Sequence, residues 1–586
     1  MSRLQLLLGR LRASEAATGV ILAILVGLLA GLGAVVFRWM IRGFHNFFFD
    51  GGERALGFLD QYYVILIPAA GGLVVGLLIH FLAREARGHG VPEVMEAVAV
   101  REGRIRQRVA IVKALASSIC IGSGGSVGRE GPIVQIGSSV GSTLGQWFRL
   151  PGDWLKTLVA CGAAGAISAT FNAPIGGIFF ALEVILGRVM VRSFGFILIS
   201  SVVADFIAHI FLADEPSFSL EAPYEMISYW EILPYILLGI FAAIIAVGFI
   251  RLLYKTEDIF DLWKIPAYLK PAFGGILIGV IGLYGYGLFG LGNGLFGVGY
   301  GYADSPVDLA LASNIGLGML FAMLFLKMLA TSITIGSGGS GGVFAPSLFI
   351  GSMLGGAFGE VTHRLFPAIT APSGAYALVG MGAVFAGAAR APITAIIMLF
   401  EMTRDYTLIL PLMLAVVIST LIARNLGRES IYTLKLVRRG IDIHRREEAD
   451  ILGAISVNEV MTCDFPTVLP SMPVPELMEE LHESGHHGFP VVDESGSFCG
   501  IVTLEDVEAA ISRKDSTLTA GDIATKSPIV AYPDQSIHDA LAQFGGRDVG
   551  RIPVVDRNDP KRLLGVLRRH DVIRAYTKAL ANKVVE

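Results

Sequence analysis

The stretch Gly122-Ser-Gly-Gly-Ser-Val-Gly-Arg-Glu-Gly-Pro132 is suited to holding an anion without a fixed cation. Its glycines let backbone approach a ligand, and its proline opens a helix whose leading N–H groups have no partner within the helix. Those amides and the positive end of the helix dipole make an anion seat. Glu130 lies in that first turn. A carboxylate there is either a tethered competitor for the seat or a capping acid stabilised by the dipole. The motif returns as Gly336-Ser-Gly-Gly-Ser-Gly-Gly-Val-Phe-Ala-Pro346 with one offset at both ends (336 − 122 = 214; 346 − 132 = 214). The match continues through Gly137-Ser138 against Gly351-Ser352 and Gly141 against Gly355. Two such helix starts, one from each half of the chain, predict a site between them.

A second pair supports the repeat. Gly162, Ala173-Pro174 and Glu183 recur as Gly380, Ala391-Pro392 and Glu401 at an offset of 218 (392 − 174; 401 − 183). Two homologous halves are read, at roughly 60–215 and 270–425, with their relative orientation left open by the sequence.

The elements that must position these motifs are membrane helices. Of 586 residues, 53% are hydrophobic and only 16% charged, and mean hydropathy is +0.63. This composition belongs to a polytopic membrane protein rather than a soluble enzyme. A net charge of −4 argues against a nucleic-acid partner. Cys120, Cys161, Cys463 and Cys499 show no metal-ligand spacing and no disulfide framework. Apolar segments run from Gly19–Val36 to Leu408–Ile422, with Leu158–Leu186 and Ala375–Phe400 each read as one segment. Short ones, such as Val109–Ile121 and Pro132–Trp147, are expected to be half-helices meeting inside the bilayer. The first apolar run is too long for a signal peptide. Arg3, Arg10 and Arg12 before it, and Arg428, Lys435, Arg438, Arg439, Arg445 and Arg446 after the last segment, predict cytoplasmic termini at a plasma (inner) membrane.

The tail is of another class. Ser456-Val-Asn-Glu-Val-Met-Thr, Gly488-Phe-Pro-Val-Val-Asp and Gly500-Ile-Val-Thr-Leu-Glu-Asp506 form one copy of a motif set. Ala520-Gly-Asp-Ile-Ala-Thr, Arg551-Ile-Pro-Val-Val-Asp and Gly565-Val-Leu-Arg-Arg-His-Asp571 form the other. Short apolar strands alternating with amphipathic helices predict two small α/β modules. The expected division is 1–440 membrane domain, 441–455 linker, 456–515 first module and 516–586 second module.

Gly128-Arg-Glu-Gly-Pro132, Gly342-Val-Phe-Ala-Pro346 and the region of Tyr432 resemble the chloride channel and exchanger (CLC) family, and the tail resembles a tandem CBS pair. The resemblance implies an all-α membrane domain of inverted halves with broken helices, a cytoplasmic α/β CBS pair, and a homodimer in which each subunit has its own anion path. It implies that Glu130 is the gate. Backbone N–H groups of Arg129, Glu130, Gly131, Val343 and Phe344 would line the path, solvating chloride without a trapping counter-charge. Tyr432 would offer its hydroxyl to the central anion, the alternative being an interfacial belt tyrosine. Lys113 would make the path electropositive, the alternative being a lysine that snorkels to the interface.

Two departures from the family pattern matter. Gly88-His89-Gly90-Val-Pro92 stands where the family usually has Gly-Ser-Gly-Ile-Pro. A neutral imidazole at His89 offers one N–H to chloride and an imidazolium holds it more strongly, so pH dependence is one reading. The other is that His89 turns away and backbone amides do the work. In Phe171-Asn-Ala-Pro-Ile-Gly-Gly-Ile-Phe-Phe-Ala-Leu-Glu183-Val184, the glutamate is kept but Val184 replaces the inner proton-accepting glutamate of many exchangers. Passive chloride conduction is therefore favoured, with proton-coupled exchange as the alternative. Neither the fluoride-selective pattern nor the serine-to-proline change linked to nitrate preference is found. No cofactor is required. An adenine nucleotide (ATP, ADP or AMP) is a candidate ligand of the CBS pair through Thr503 and Asp506, with Asp571 kept and Arg568 replacing the hydroxyl residue in the second copy; a purely structural CBS pair is the alternative. A cation transporter would need intramembrane carboxylates or carbonyl rings. A membrane enzyme would need a nucleophile triad, a metal set or a Walker motif, and the loops carry none of these.

Overall fold

The computed structural model describes residues 15–187, 191–212, 218, 224–289, 305–441, 455–512, 517–544, 551–575 and 577. Arg3, Arg10, Arg12, Arg445 and Arg446, and nearly all of the expected linker, lie outside the described residues. The chain divides into two units, Met1–Ile441 and Asp442–Glu586.

The first unit is helical: α1 (Glu15–Leu56), α2 (Tyr63–Phe81), α3 (Val91–Val100), α4 (Arg108–Gly122), α5 (Glu130–Trp147), α6 (Gly152–Phe171), α7 (Pro174–Phe180), α8 (Val191–Phe211), α9 (Ile232–Leu262), α10 (Lys270–Phe289), α11 (Pro306–Leu311), α12 (Leu317–Gly336), α13 (Phe344–Leu365), α14 (Ser373–Ala389), α15 (Pro392–Thr403), α16 (Ile409–Leu426) and α17 (Thr433–Arg438). Among the described residues, eight helices are long and apolar enough to cross a membrane.

The apolar segments 158–186 and 375–400 are each broken, contrary to expectation. Asn172 (φ 56°) and Arg390 (φ 62°) take left-handed conformations that end α6 and α14. Ala173 and Ala391 leave the helical region because a proline follows. Pro174 and Pro392 then restart α7 and α15, where a missing N–H costs nothing. Beyond α7 the chain continues as a π-helical turn, Ala181–Leu186.

The structure adds a third pair of repeat mates. Pro68-Ala-Ala-Gly-Gly on α2 matches Pro271-Ala-Phe-Gly-Gly on α10, an offset of 203 (271 − 68). Gly72 lies against the Pro271 carbonyl and Gly275 against the Pro68 carbonyl. Gly137 and Gly162 pack backbone to backbone, as do their mates Gly351 and Gly380. Such reciprocity is what a two-fold axis produces. The two halves are therefore related by a pseudo-two-fold, held by small-residue helix contacts of the kind membrane helices use in place of a hydrophobic driving force.

The second unit holds two similar modules. In one, β1 (Gly488–Val492) pairs antiparallel with β2 (Phe498–Thr503), and α18 (Val474–Ser484) and α19 (Leu504–Ser512) cover them around Leu477, Phe489 and Val502. In the other, β3 (Arg551–Val555) pairs with β4 (Leu563–Arg568) around Ile537, Ile552 and Leu567.

Candidate functional site

The glycine motifs meet on the pseudo-two-fold. Gly128 N–H donates to the Gly342 carbonyl at 2.8 Å and Gly342 N–H to that of Gly128 at 2.6 Å. The two residues are repeat mates, so this short bridge sets the starts of α5 and α13 side by side. Glu130, at the first position of α5, reaches across to the other half. Its Oε1 accepts the Ala345 N–H at 3.0 Å, and the side chain is buried. An added Cβ at Gly128 or Gly342 would overlap its carboxylate. The Ala345 amide at the start of α13 thus holds a carboxyl group supplied by the chain itself. Phe344 stacks near Phe171 (5.2 Å between ring centroids) and Phe385 (4.4 Å), walling this region with aromatic rings. Arg129 turns its guanidinium to the Thr170 carbonyl and lies over the Phe171 ring.

The loop before α3 closes against the same bridge. Gly88 N–H donates to Gly339 and Gly341 N–H to Gly88. Gly90 (φ 82°) turns the chain into α3, and Pro92 follows in its first turn. Gly131 sits under the His89 carbonyl, where an added Cβ would overlap that oxygen. Lys113 is fully buried on α4 and donates to the carbonyls of Ala86 (3.0 Å) and Gly88 (2.7 Å). It does not snorkel; it fastens the loop from within. Ser340, bonded to Ser117 and to the Ala86 carbonyl, fastens it from the second half.

His89 and Tyr432 come together, with ring centroids 6.0 Å apart, both buried. Tyr432 is therefore an interior residue and not part of an interfacial belt. Tyr254, on α9, donates its hydroxyl proton to the Ile431 carbonyl at 2.7 Å, and its oxygen lies 3.5 Å from His89 Nε2. Ion pairs fix this corner. Arg439, just after α17, bonds Glu93 (2.5 Å) and Glu96 (2.8 Å) on α3. Arg438 bonds Asp258, and Lys435 bonds Glu257, both acids on α9. The helices that follow His89 and Tyr432 and the helix that carries Tyr254 are thus tied together near the rings.

Val184 is buried in the π-helical turn. Its neighbour Glu183 accepts from Ile393 N–H (3.3 Å), Thr394 N–H (2.8 Å) and the Thr394 hydroxyl (2.7 Å). The carboxylate caps α15. Ala345, Tyr254 and the mutual capping by Glu183 and Glu401 were not singled out from the sequence. The Ala173-Pro174 and Ala391-Pro392 repeat is the signal that locates the capped helix starts.

Residues 71–424 match the family model described as voltage gated chloride channel. The chain belongs to the CLC family. Residues 457–513 and 520–578 match the CBS domain. A putative chloride channel protein ClcB-like from Ralstonia nicotianae is 33% identical over 72% of this chain and 97% of its own length. An H(+)/Cl(-) exchange transporter ClcA from Yersinia pestis is 33% identical over 71% of this chain and 87% of its own. The crystal structure of a slow cyanobacterial Cl-/H+ antiporter superposes with a TM-score of 0.65 at 29% identity, covering 72% of this chain and 97% of that one. A eukaryotic CLC transporter of known structure covers 94% of this chain with a TM-score of 0.61 at 20% identity and shares the fold. This CLC chain is an integral membrane protein of the anion-transporting class with a CBS region.

In the CBS unit, Thr503 donates through its N–H and hydroxyl to Asp506 (2.9 and 2.7 Å), starting α19. Asp571 is gripped by Arg568 through two nitrogens, and Arg568 also reaches the Thr462 hydroxyl. A shallow cleft lies between the modules, lined by Thr462, Asp464, His486, Ile501, Arg551 and Arg568 among others. Burial and the nearby Arg551, Arg568 and His487 hold the His486 imidazole below its ordinary range. The cleft carries charges of both signs: Arg551 and Arg568 face it with Asp464, and Arg568 is paired with Asp571.

Proposed function

We propose that this CLC chain conducts chloride passively across a membrane, gated by Glu130. The observation that carries the reading is the Glu130 carboxylate on the Ala345 amide. A free halide and this tethered anion need the same helix-start amides, so the side chain must leave or be protonated before an ion passes. Val184 cannot carry a proton, and Glu183 is committed to a helix start; both favour conduction over coupled exchange. Proton-coupled chloride exchange is the second reading, favoured by relatives at 33% identity that are named exchangers. The chain reconstituted in liposomes under a chloride gradient, with a proton electrode in the bath, separates the two. Chloride release without uphill proton movement supports conduction; chloride-driven proton pumping overturns it.

His89, Gly90, Arg129, Gly131, Val343, Phe344 and Tyr432 are proposed to form the anion path, with Lys113 giving it positive charge. The chain works as a homodimer with its termini in the cytoplasm of a plasma (inner) membrane. The CBS pair binds an adenine nucleotide, with Thr503 and Asp506 as the expected contacts to its ribose and Arg551 and His486 of the cleft meeting its phosphates. Titration calorimetry with ATP, ADP and AMP tests this, and no heat with any of the three overturns it.

A further inference from the structure

The Tyr254 hydroxyl has one proton, and the Ile431 carbonyl 2.7 Å away takes it. Two oxygens at that distance would repel without a proton between them. The lone pairs of the Tyr254 oxygen therefore face His89 Nε2 at 3.5 Å. The hydrogen-bond network assigns the ring proton to Nε2, because a lone pair there would oppose those of the tyrosine. Neutral His89 then presents a bare lone pair at Nδ1. That atom is buried and has no hydrogen-bond partner among the described residues. It sits on a side chain 3% exposed, beside Tyr432 and directly before the Gly90 turn.

A lone pair repels a halide. Only the imidazolium offers an N–H at Nδ1. The cations nearest the ring are already engaged: Lys113 of α4 on the Ala86 and Gly88 carbonyls, Lys435 of α17 on Glu257, and Arg439 on Glu93 and Glu96. Tyr254 and Tyr432 are the other titratable neighbours, Glu93 and Glu96 of α3 are spent on Arg439, and Glu257 of α9 on Lys435. A halide beside the buried ring supplies the opposite charge that an imidazolium there lacks.

We infer that His89 is a proton site linked to anion binding: Nδ1 takes up a proton from solvent when a halide occupies the path and returns it to the same side when the halide leaves. No other bond is made or broken. The inference rests on the anion path proposed above, and it replaces the simpler idea that a neutral imidazole donates to chloride, since that N–H is already directed at Tyr254.

The test uses the full chain in detergent with Glu130→Gln, which removes the other carboxylate able to exchange a proton as halide enters. Chloride is titrated calorimetrically in two buffers of different ionisation enthalpy. Proton uptake with chloride is expected, with affinity falling about tenfold per pH unit above the titration of the site. Adding His89→Ser should keep chloride binding and abolish the uptake. Adding Tyr254→Phe should reduce the uptake while keeping chloride bound, because the ring is then free to carry its neutral proton on Nδ1. Chloride binding without proton uptake in the Glu130→Gln chain overturns the linkage, as does uptake that survives His89→Ser. A Glu130→Gln chain that is folded by size exclusion and binds no chloride overturns the anion path itself.

Discussion

Glu183 caps the helix that begins at Pro392, and Glu401 caps the helix that begins at Pro174. Glu401 accepts from Ile175 N–H at 3.0 Å and Gly176 N–H at 2.6 Å, just as Glu183 accepts from Ile393 and Thr394. The acids are repeat mates (401 − 183 = 218), and so are the amides they bind (393 − 175 = 218; 394 − 176 = 218). Each half closes a helix start in the other.

Removing either acid leaves two helix-start amides without their partner. Glu183→Ala and Glu401→Ala should each destabilise the membrane unit by about 1–3 kcal/mol, with Glu183→Gln milder because its amide oxygen still accepts. Thermal unfolding followed by size exclusion in detergent checks this. An unchanged midpoint in both alanine variants would show the caps to be dispensable.

Glu130→Gln keeps the shape of the side chain and removes its charge. A neutral amide competes poorly with chloride for the Ala345 N–H, so chloride release from liposomes should be faster than in the wild type at neutral pH and keep only the acid dependence that His89 adds. Any coupled proton movement should drop at least about tenfold, as expected for loss of a positioned proton carrier. Wild-type pH dependence in this variant would remove Glu130 from the gate.

Gly131→Ala sets a methyl group against the His89 carbonyl and the Gly342 backbone. Backbone cannot yield as a flexible side chain does, so about 1–3 kcal/mol of overpacking is expected, together with weaker chloride binding. Gly195→Ala on α8 is the control, since nothing lies within 4 Å of the added methyl group. Equal midpoints and equal chloride affinities for the two variants would count against the close approach.

His486 supplies a pH dependence for the CBS cleft. Its imidazole is held below the ordinary value of 6.5, so it is neutral near pH 7. Polyphosphate favours the charged ring, so binding takes up a proton and affinity rises as pH falls from about 7.5 towards 6. The free domain shows the opposite trend in stability: its proton is bound more tightly when unfolded, so stability is full above 6.5 and declines as pH falls below it. ATP titrations across this range, with His486→Gln as comparison, check the sign. A flat wild-type profile would sink it.

Much of this was legible in the sequence because the chemistry is backbone chemistry. Glycine and proline spacing announces where helices start, and duplication announces which starts belong together. Side-chain commitments were not legible. Nothing in Gly88-His-Gly-Val-Pro92 says that Tyr254, 165 residues away, orients the ring. Lys113 reads the same in sequence whether it lines a path or fastens a loop. The breaks at Asn172 and Arg390 were missed because hydropathy runs straight through them, although the prolines two residues on marked both places. The Pro68 and Pro271 pair was missed because its offset differs from those of the other two blocks.

The mutual capping also bears on how the protein is made. The carboxylate that closes the turn at Gly176 lies 225 residues downstream of it. The ribosome must therefore finish nearly all of the second half before the first half can complete its own backbone pairing, and a nascent chain stopped midway carries helix-start amides still without their partner.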